Sequence, residues 1–195
     1  MRITIFNTPV VTVIMRWVLI FIVRAFGWHQ PPPLPNLKKC VLVVAPHTSN
    51  WDFPIGITYA LWYGIRVNWM GKDSLFVPLL SPIFRWMGGI PVDRSKSTNM
   101  VSDVARLFEQ EESLWLAIAP EGTRRKVERW KTGFYHIAIK ANVPIVLAYI
   151  DYSRKVTAID RVIYPTGDVE KELSAIQAFY ADITGKNPDQ WGQGS

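Results

Sequence analysis

Residues 40–64, CVLVVAPHTSNWDFPIGITYALWYG, decide the fold because they join two apolar segments of different period through a polar turn. The first seven residues are mostly aliphatic and β-branched, which is typical of a buried strand. Beyond the turn, apolar side chains recur with helical spacing at Trp51, Ile55 and Tyr59, and Gly64 is a helix stop signal. The segment therefore predicts strand, polar turn and helix, the unit from which α/β sheets are built.

The same alternation continues along the rest of the chain. Strands are predicted at 65–70, 89–93, 113–120, 143–151 and 154–165, and helices at 97–112, 134–142 and 168–184. Between them, residues 73–89 are apolar but broken by Pro78 and Pro82. The pattern predicts an α/β fold with a central sheet, mostly parallel or mixed, flanked by helices.

Composition narrows the classes of function. The 195 residues carry a net charge of +6 and nine tryptophans, which favours anionic partners and surfaces such as lipid headgroups. A nucleic-acid binder is a weaker interpretation, since the basic residues are dispersed outside 124–131 and no recognition motif is present. Cys40 is the single cysteine, so no internal disulfide can form, and its place at the start of a strand predicts a buried, inert thiol.

The first 30 residues form a separable apolar segment. Arg16 and Arg24 interrupt residues 9–28, and the uncharged run between them is too short to cross a hydrocarbon core of about 30 Å. On a helix the two arginines lie about 80° apart. We therefore expect residues 1–30 to be a helix lying in a membrane interface, with the arginines reaching lipid phosphates. A buried first helix and a tilted single span are the alternatives.

Prolines and polar residues mark the remaining boundaries. PPPLPN at 31–36 predicts an extended linker, after which one catalytic α/β domain is expected over 36–185. Residues 186–195 are rich in polar residues and glycine and are expected to be a disordered tail.

The turn after the first strand carries the first candidate for chemistry. On a continuous helix His47 and Asp52 would point about 140° apart, so they can meet only if the chain turns between them. With a helix beginning near Asn50, Asp52 falls in its first turn and His47 can fold back onto it. A carboxylate on one imidazole nitrogen fixes the tautomer and makes the other nitrogen a general base. The alternative is that Asp52 only complements the helix dipole and His47 is a turn residue.

A second candidate follows the strand at 113–120. Glu121, Gly122, Thr123 and Arg124 form a loop whose backbone donors and guanidinium suit a phosphate, and Arg94 could supply a second guanidinium. The alternative is a solvated basic loop. No nucleotide-binding glycine motif and no zinc-ligand spacing occurs, so neither a nucleotide nor a metal is predicted.

Taken together, four blocks resemble the 1-acyl-glycerol-3-phosphate acyltransferases and related glycerolipid acyltransferases. HTSNWD at 47–52 is similar to their H-x4-D motif, and GKDSLFVPLLSPIFRWMGGIPVDR at 71–94 is similar to their second block, which begins at a lysine and ends at an arginine. APEGTR at 119–124 and WKTGFYHIAIKANVPIVLAYI at 130–150 resemble the third and fourth. Pro46 and Ala119 stand where the family often has Asn and Phe.

The resemblance implies a glycerolipid-acyltransferase fold and acyl transfer from a thioester without an acyl-enzyme. His47, oriented by Asp52, would take the proton from the acceptor hydroxyl. The acceptor phosphate would be held by Lys72, Arg94, Gly122, Thr123 and Arg124, with Glu121 orienting the arginines. No metal or cofactor is expected.

The same resemblance implies the partners. Acyl-CoA or acyl-carrier protein would be the donor, and a membrane lysolipid, first of all 1-acyl-glycerol-3-phosphate, the acceptor. The protein would work on the anionic cytoplasmic face of the cell membrane, with no nucleic-acid partner. Two alternatives remain: a non-catalytic peripheral lipid-binding or transfer protein, and an acyltransferase acting on a non-glycerol lysolipid.

Overall fold

The computed structural model describes residues 3–93 and 97–192, and within the second range the side chains from residue 100 onward. Six helices are α1 Val11–Ala25, α2 Asp52–Tyr63, α3 Ser81–Trp86, α4 Ser97–Gln110, α5 Gly133–Ala141 and α6 Val169–Phe179. Six strands are β1 Lys39–Val44, β2 Val67–Lys72, β3 Gly89–Val92, β4 Leu114–Ile118, β5 Ile145–Asp151 and β6 Val156–Ile163. Arg94, one of the predicted phosphate ligands, lies outside the described residues.

The strands form one sheet in the order β3-β2-β4-β1-β5-β6. The first five are parallel to one another, and β6 pairs antiparallel with β5. The predicted α/β architecture with a mostly parallel or mixed sheet is confirmed. Since β1, β2 and β4 are parallel neighbours, the loops that follow them emerge at the same edge of the sheet, where ligands of α/β proteins collect.

Both faces of the sheet are covered by helices. One face packs against α4, α5 and α6, for which Phe108, Phe134 and Ile176 supply buried side chains. The other face is covered by α2, and Cys40 of β1 is fully buried on that side. Burial raises the pKa of the Cys40 thiol well above its usual range, as the sequence predicted for an inert thiol.

The N-terminal segment is attached to the domain more closely than the sequence predicted. Ile5 is fully buried and its N–H donates to the Trp86 carbonyl, so residues before α1 are already part of the core. Arg16 donates to the Trp62 carbonyl at 2.8 Å, and Arg24 lies over the Trp62 ring at 5.0 Å. Arg16 is thus bound to α2 rather than directed outward, whereas Arg24 is exposed, and the expectation that it reaches lipid phosphates stays a prediction.

The opposite side of α1 is apolar and exposed. Trp17 and Phe21 are 64% and 72% exposed, whereas Ile20 and Val23 on the α2 side are buried. Among the described residues, no helix combines the length and the apolar character needed to cross a membrane. The helix is thus neither wholly buried nor free of the domain.

The end of the chain also differs from expectation. The side chain of Asn187 donates to the Thr48 carbonyl at 2.8 Å, and Trp191 packs against Trp130 with ring centroids 5.9 Å apart. Residues 186–192 are therefore not a disordered tail, because they hydrogen-bond to the turn after β1 and bury aromatic surface. The last three residues lie outside the described part of the chain.

Candidate active site

The turn after β1 brings His47 and Asp52 together. The chain turns between them, α2 begins at Asp52, and the Nδ1 atom of His47 lies 3.0 Å from the Oδ2 atom of Asp52. The His47 side chain is 24% exposed and that of Asp52 only 4%. Because Nδ1 is engaged by the carboxylate, Nε2 is the nitrogen that can accept a proton from a substrate.

The Asp52 carboxylate accepts four hydrogen bonds. Oδ2 also accepts the backbone N–H groups of Thr48 and Ser49, each at 2.9 Å, and Oδ1 accepts the hydroxyl of Tyr152 at 2.7 Å. Burial by itself would raise the pKa of Asp52, but the hydrogen bonds from His47, Tyr152 and Ser49 together lower it below its ordinary value. Asp52 is therefore held as a buried carboxylate that faces the imidazole.

Glu121 connects the turn after β4 to the turn after β1. Its Oε1 atom accepts the backbone N–H of His47 at 2.8 Å, and the residue is 4% exposed. Within residues 3–93 and 97–192, its Oε2 atom has no hydrogen-bond partner. The role of orienting the arginines does not match this geometry, since the carboxylate contacts the His47 backbone instead. Burial raises the pKa of Glu121 to about 6.

A wide cavity of about 580 Å³ opens beside His47, and basic side chains stand in its otherwise largely apolar lining. Its basic lining residues are Lys72 at the end of β2, Arg124 after β4, and Lys131 before α5. Gly122 and Thr123 line the same cavity. Lys72, Gly122, Thr123 and Arg124, which the sequence predicts as phosphate ligands, thus line one cavity together with His47. The cluster of positive charge suits an anionic group.

Gly122 has a specific structural reason to be glycine. Its φ angle is +64°, a left-handed conformation that strains residues with a Cβ atom. A Cβ atom there would also lie 3.0 Å from the Nζ atom of Lys131. The glycine therefore both forms the turn and lets the lysine approach the loop that carries Thr123 and Arg124.

A second cavity, of about 190 Å³, adjoins the first at His47, Phe53 and Trp69 and lies between α2 and the sheet. Its lining is almost entirely apolar and follows α2 from Asp52 through Gly56 and Ala60 to Tyr63. The His47–Asp52 pair lines this cavity, and His47 also lines the basic one. His47 thus borders both the basic cavity and the apolar one.

The sequence analysis missed two residues of the site. Lys131 belongs to the fourth block quoted above, so its Lys-x-Gly spacing was a usable signal. Tyr152 left no such signal, because it lies 100 positions from Asp52 and reaches it only through the fold.

Comparisons with known proteins agree with this geometry. Residues 26–151 match the model of the family described as Acyltransferase. The chain is 31% identical over 132 residues to a 1-acyl-sn-glycerol-3-phosphate acyltransferase of Haemophilus influenzae, covering 62% of this chain and 53% of that protein. It is 30% identical over 112 residues to the enzyme of the same name from Escherichia coli strain K12, covering 54% and 44%. The chain spans about half the length of these curated relatives.

A solved structure shares the fold. The crystal structure of a 1-acyl-sn-glycerophosphate (LPA) acyltransferase from Thermotoga maritima aligns with a TM-score of 0.57 at 15% identity. The alignment covers 88% of this chain and 81% of that one.

Proposed function

Because the chain belongs to the acyltransferase family, we propose that it moves a fatty acyl group from a thioester donor to the hydroxyl of a lysophospholipid, with 1-acyl-glycerol-3-phosphate as the first acceptor to test. The observation that carries the proposal is that His47, paired with Asp52, borders both the apolar cavity and the basic one. A lysophospholipid acyl transfer needs sites of these two kinds beside one general base.

His47 acts on the acceptor in this mechanism. Its Nε2 atom takes the proton of the acceptor hydroxyl as the oxygen attacks the thioester carbonyl carbon. The carbon–sulfur bond then breaks, and the imidazolium returns the proton to the leaving thiolate. Asp52 holds the Nδ1–H group and stabilises the imidazolium that forms between the two steps.

In this proposal, one cavity binds the acceptor phosphate and the other binds an acyl chain. Lys72, Arg124 and Lys131 supply cations for the acceptor phosphate, with Thr123 and the Gly122 backbone as further donors. The apolar cavity along α2 receives an acyl chain, whose burial is worth roughly 0.8 kcal/mol per CH₂ group. Acyl-CoA and acyl-carrier protein both present such a chain, and the donor stays a prediction.

The decisive experiment is turnover by the purified full chain. Labelled acyl-CoA or acyl-carrier protein is incubated with lysophosphatidate, lysophosphatidylcholine and a non-glycerol lysolipid, and labelled diacyl product is quantified. We expect product with lysophosphatidate, and roughly 10²–10⁴-fold slower product formation by His47→Ala. Stoichiometric lipid binding without any product would support the lipid-transfer alternative. Product from the non-glycerol lysolipid alone would show that the acceptor is not a glycerolipid.

We further propose that the exposed side of α1 rests on a membrane surface. Its side chains Trp17, Val18 and Phe21 are apolar and exposed on one helix, the arrangement of an interfacial helix. An enzyme on the surface need not draw its lipid substrate fully into water. The cytoplasmic face stays a prediction, based on where acyl thioesters are made.

Point substitutions test membrane docking better than deletion, since residues 1–30 include the buried Ile5 and the docked Trp28. We expect Phe21→Glu to reduce cosedimentation with anionic vesicles several-fold. Tyr164→Glu is the matched control, since Tyr164 is 67% exposed just after β6. Equal sedimentation of both variants would contradict docking through α1.

A further inference from the structure

Both oxygens of the Asp52 carboxylate are held, by two different parts of the chain. Oδ2 is held locally, by His47 and by the backbone of the turn after β1. Among the described residues, Tyr152 is the one donor to Oδ1, and its 2.7 Å bond is the shortest of the four. A carboxylate held at one oxygen can rotate about that contact, whereas one held at both has a fixed plane. The orientation of Asp52 thus depends on a residue far away in sequence.

Tyr152 is itself held by the N-terminal segment. It follows β5 directly, and its ring meets the edge of Trp28 with centroids 5.3 Å apart at 81°. Trp28 also makes an edge contact with Tyr59 of α2, at 6.2 Å. The adjacent backbone is fixed as well, because His29 N–H donates to the Lys155 carbonyl at 3.0 Å in the β5–β6 connection. The end of the N-terminal segment is therefore docked on the connection that carries Tyr152.

We propose that Tyr152, kept in place by Trp28, is a positioning residue for the His47–Asp52 pair, so that the segment bearing the membrane-facing helix also helps to set the geometry of the general base. The inference rests on the proposed acyl transfer. Tyr152 acts through Asp52 and touches no substrate. The contact chain runs from α1 through Trp28, Tyr152 and Asp52 to the imidazole of His47.

The hydroxyl also bears on the charge of the carboxylate. A phenol that donates to Oδ1 stabilises the ionised Asp52, and the pKa of Tyr152 itself is raised by burial and by the Asp52 charge. Removing the hydroxyl takes away the donor to Oδ1 and lets the carboxylate turn away from the Nδ1 atom of His47.

Tyr152→Phe tests the inference in the full chain. We expect kcat to fall about 10-fold with little change in the acceptor KM, because the variant changes the orientation of the base and no contact to the acceptor. The matched control is Tyr135→Phe. Tyr135 lies on α5 outside the site, and its hydroxyl also donates to a carboxylate, that of Glu172, at 2.8 Å. If the effect came from lost packing alone, both variants would show a similar fall in kcat.

Trp28→Leu tests the second half of the chain of contacts. We expect Trp28→Leu to lower kcat, as Tyr152→Phe does. The fold-loss in kcat of the double variant should be smaller than the product of the two single fold-losses. Independent, multiplicative effects would show that Trp28 does not act through Tyr152.

A readout that needs no turnover separates this inference from the proposed function. Nitrogen NMR of labelled protein follows the tautomer of the His47 ring, identified by its loss in His47→Gln. A smaller fraction of the Nδ1–H tautomer in Tyr152→Phe, but not in Tyr135→Phe, supports the positioning role even for a protein that transfers no acyl group. An unchanged tautomer together with an unchanged kcat would overturn it.

Discussion

Gly56 gives the sharpest test of the apolar cavity. It lies in the interior of α2, one turn beyond Asp52 and about 6 Å farther along the helix axis, and it lines the cavity. A Cβ atom built at this position meets no other atom within 4 Å. Side chains placed there would therefore enter empty space in the cavity rather than clash with the sheet.

Two substitutions at Gly56 separate stability from volume. Alanine and leucine both favour a helix interior over glycine by roughly 1 kcal/mol, so both variants should melt a few degrees higher than the parent. Leucine also brings four carbon atoms into a cavity of about 190 Å³. If those atoms displace four CH₂ groups of a bound chain, the loss is about 3 kcal/mol, or about 10²-fold in kcat/KM.

The assay compares acyl thioesters of increasing chain length on the parent, Gly56→Ala and Gly56→Leu proteins. We expect Gly56→Leu to lose about 10²-fold with long chains, to lose little with the shortest donors, and to melt above the parent. Gly56→Ala should keep most of the long-chain activity. An unchanged chain-length preference in a folded Gly56→Leu protein would refute the assignment of this cavity to the acyl chain.

Three further predictions concern the polar side of the site. His47→Ala should reduce turnover by roughly 10²–10⁴-fold with little change in melting temperature, because the residue lies on a turn; near-parent turnover measured with labelled donor would exclude it as the base. Arg124→Ala and Lys131→Ala should each raise the acceptor KM and leave the donor KM nearly unchanged, which steady-state kinetics with both substrates varied will show. Glu121 has a pKa raised from 4.5 to about 6, so the folded state holds its proton more tightly than the unfolded state. The free energy of unfolding should therefore fall by about 2 kcal/mol as pH rises from about 4.5 through about 6, and denaturant melts of Glu121→Gln should lack that fall.

The parts of the site that could be predicted from sequence are those made by local pattern. The strand, turn and helix around His47 and Asp52 follow from apolar spacing over residues 40–64, and the structure places the pair in hydrogen-bond contact. Gly122 and Arg124 follow from the residue types in one loop and from the rule that parallel strands end at one edge. Each of these inferences needs only neighbours in sequence and the order of strands.

The contacts that could not be predicted depend on packing between distant segments. Glu121 was expected beside arginines because charge suggested it, yet the pairing of β1 with β4 puts it against the His47 backbone. Arg16 was expected at lipid phosphates, but the packing of α1 on α2 offers it the Trp62 carbonyl. Tyr152 was missed for the same reason, since only the closed sheet brings the end of β5 to Asp52.

The single thiol of the chain is buried in the sheet. Cys40 is fully buried in β1, and burial raises its pKa well above the usual range, so the folded protein contributes no fast-reacting thiolate to its solution. If the proposed donor is acyl-CoA, the thiol released in each turnover can therefore be followed continuously with a coloured disulfide reagent, against a negligible protein background. For the same reason, a cysteine introduced at the exposed position of Trp17 would be labelled selectively, and an environment-sensitive dye there would report how deeply α1 enters a lipid surface.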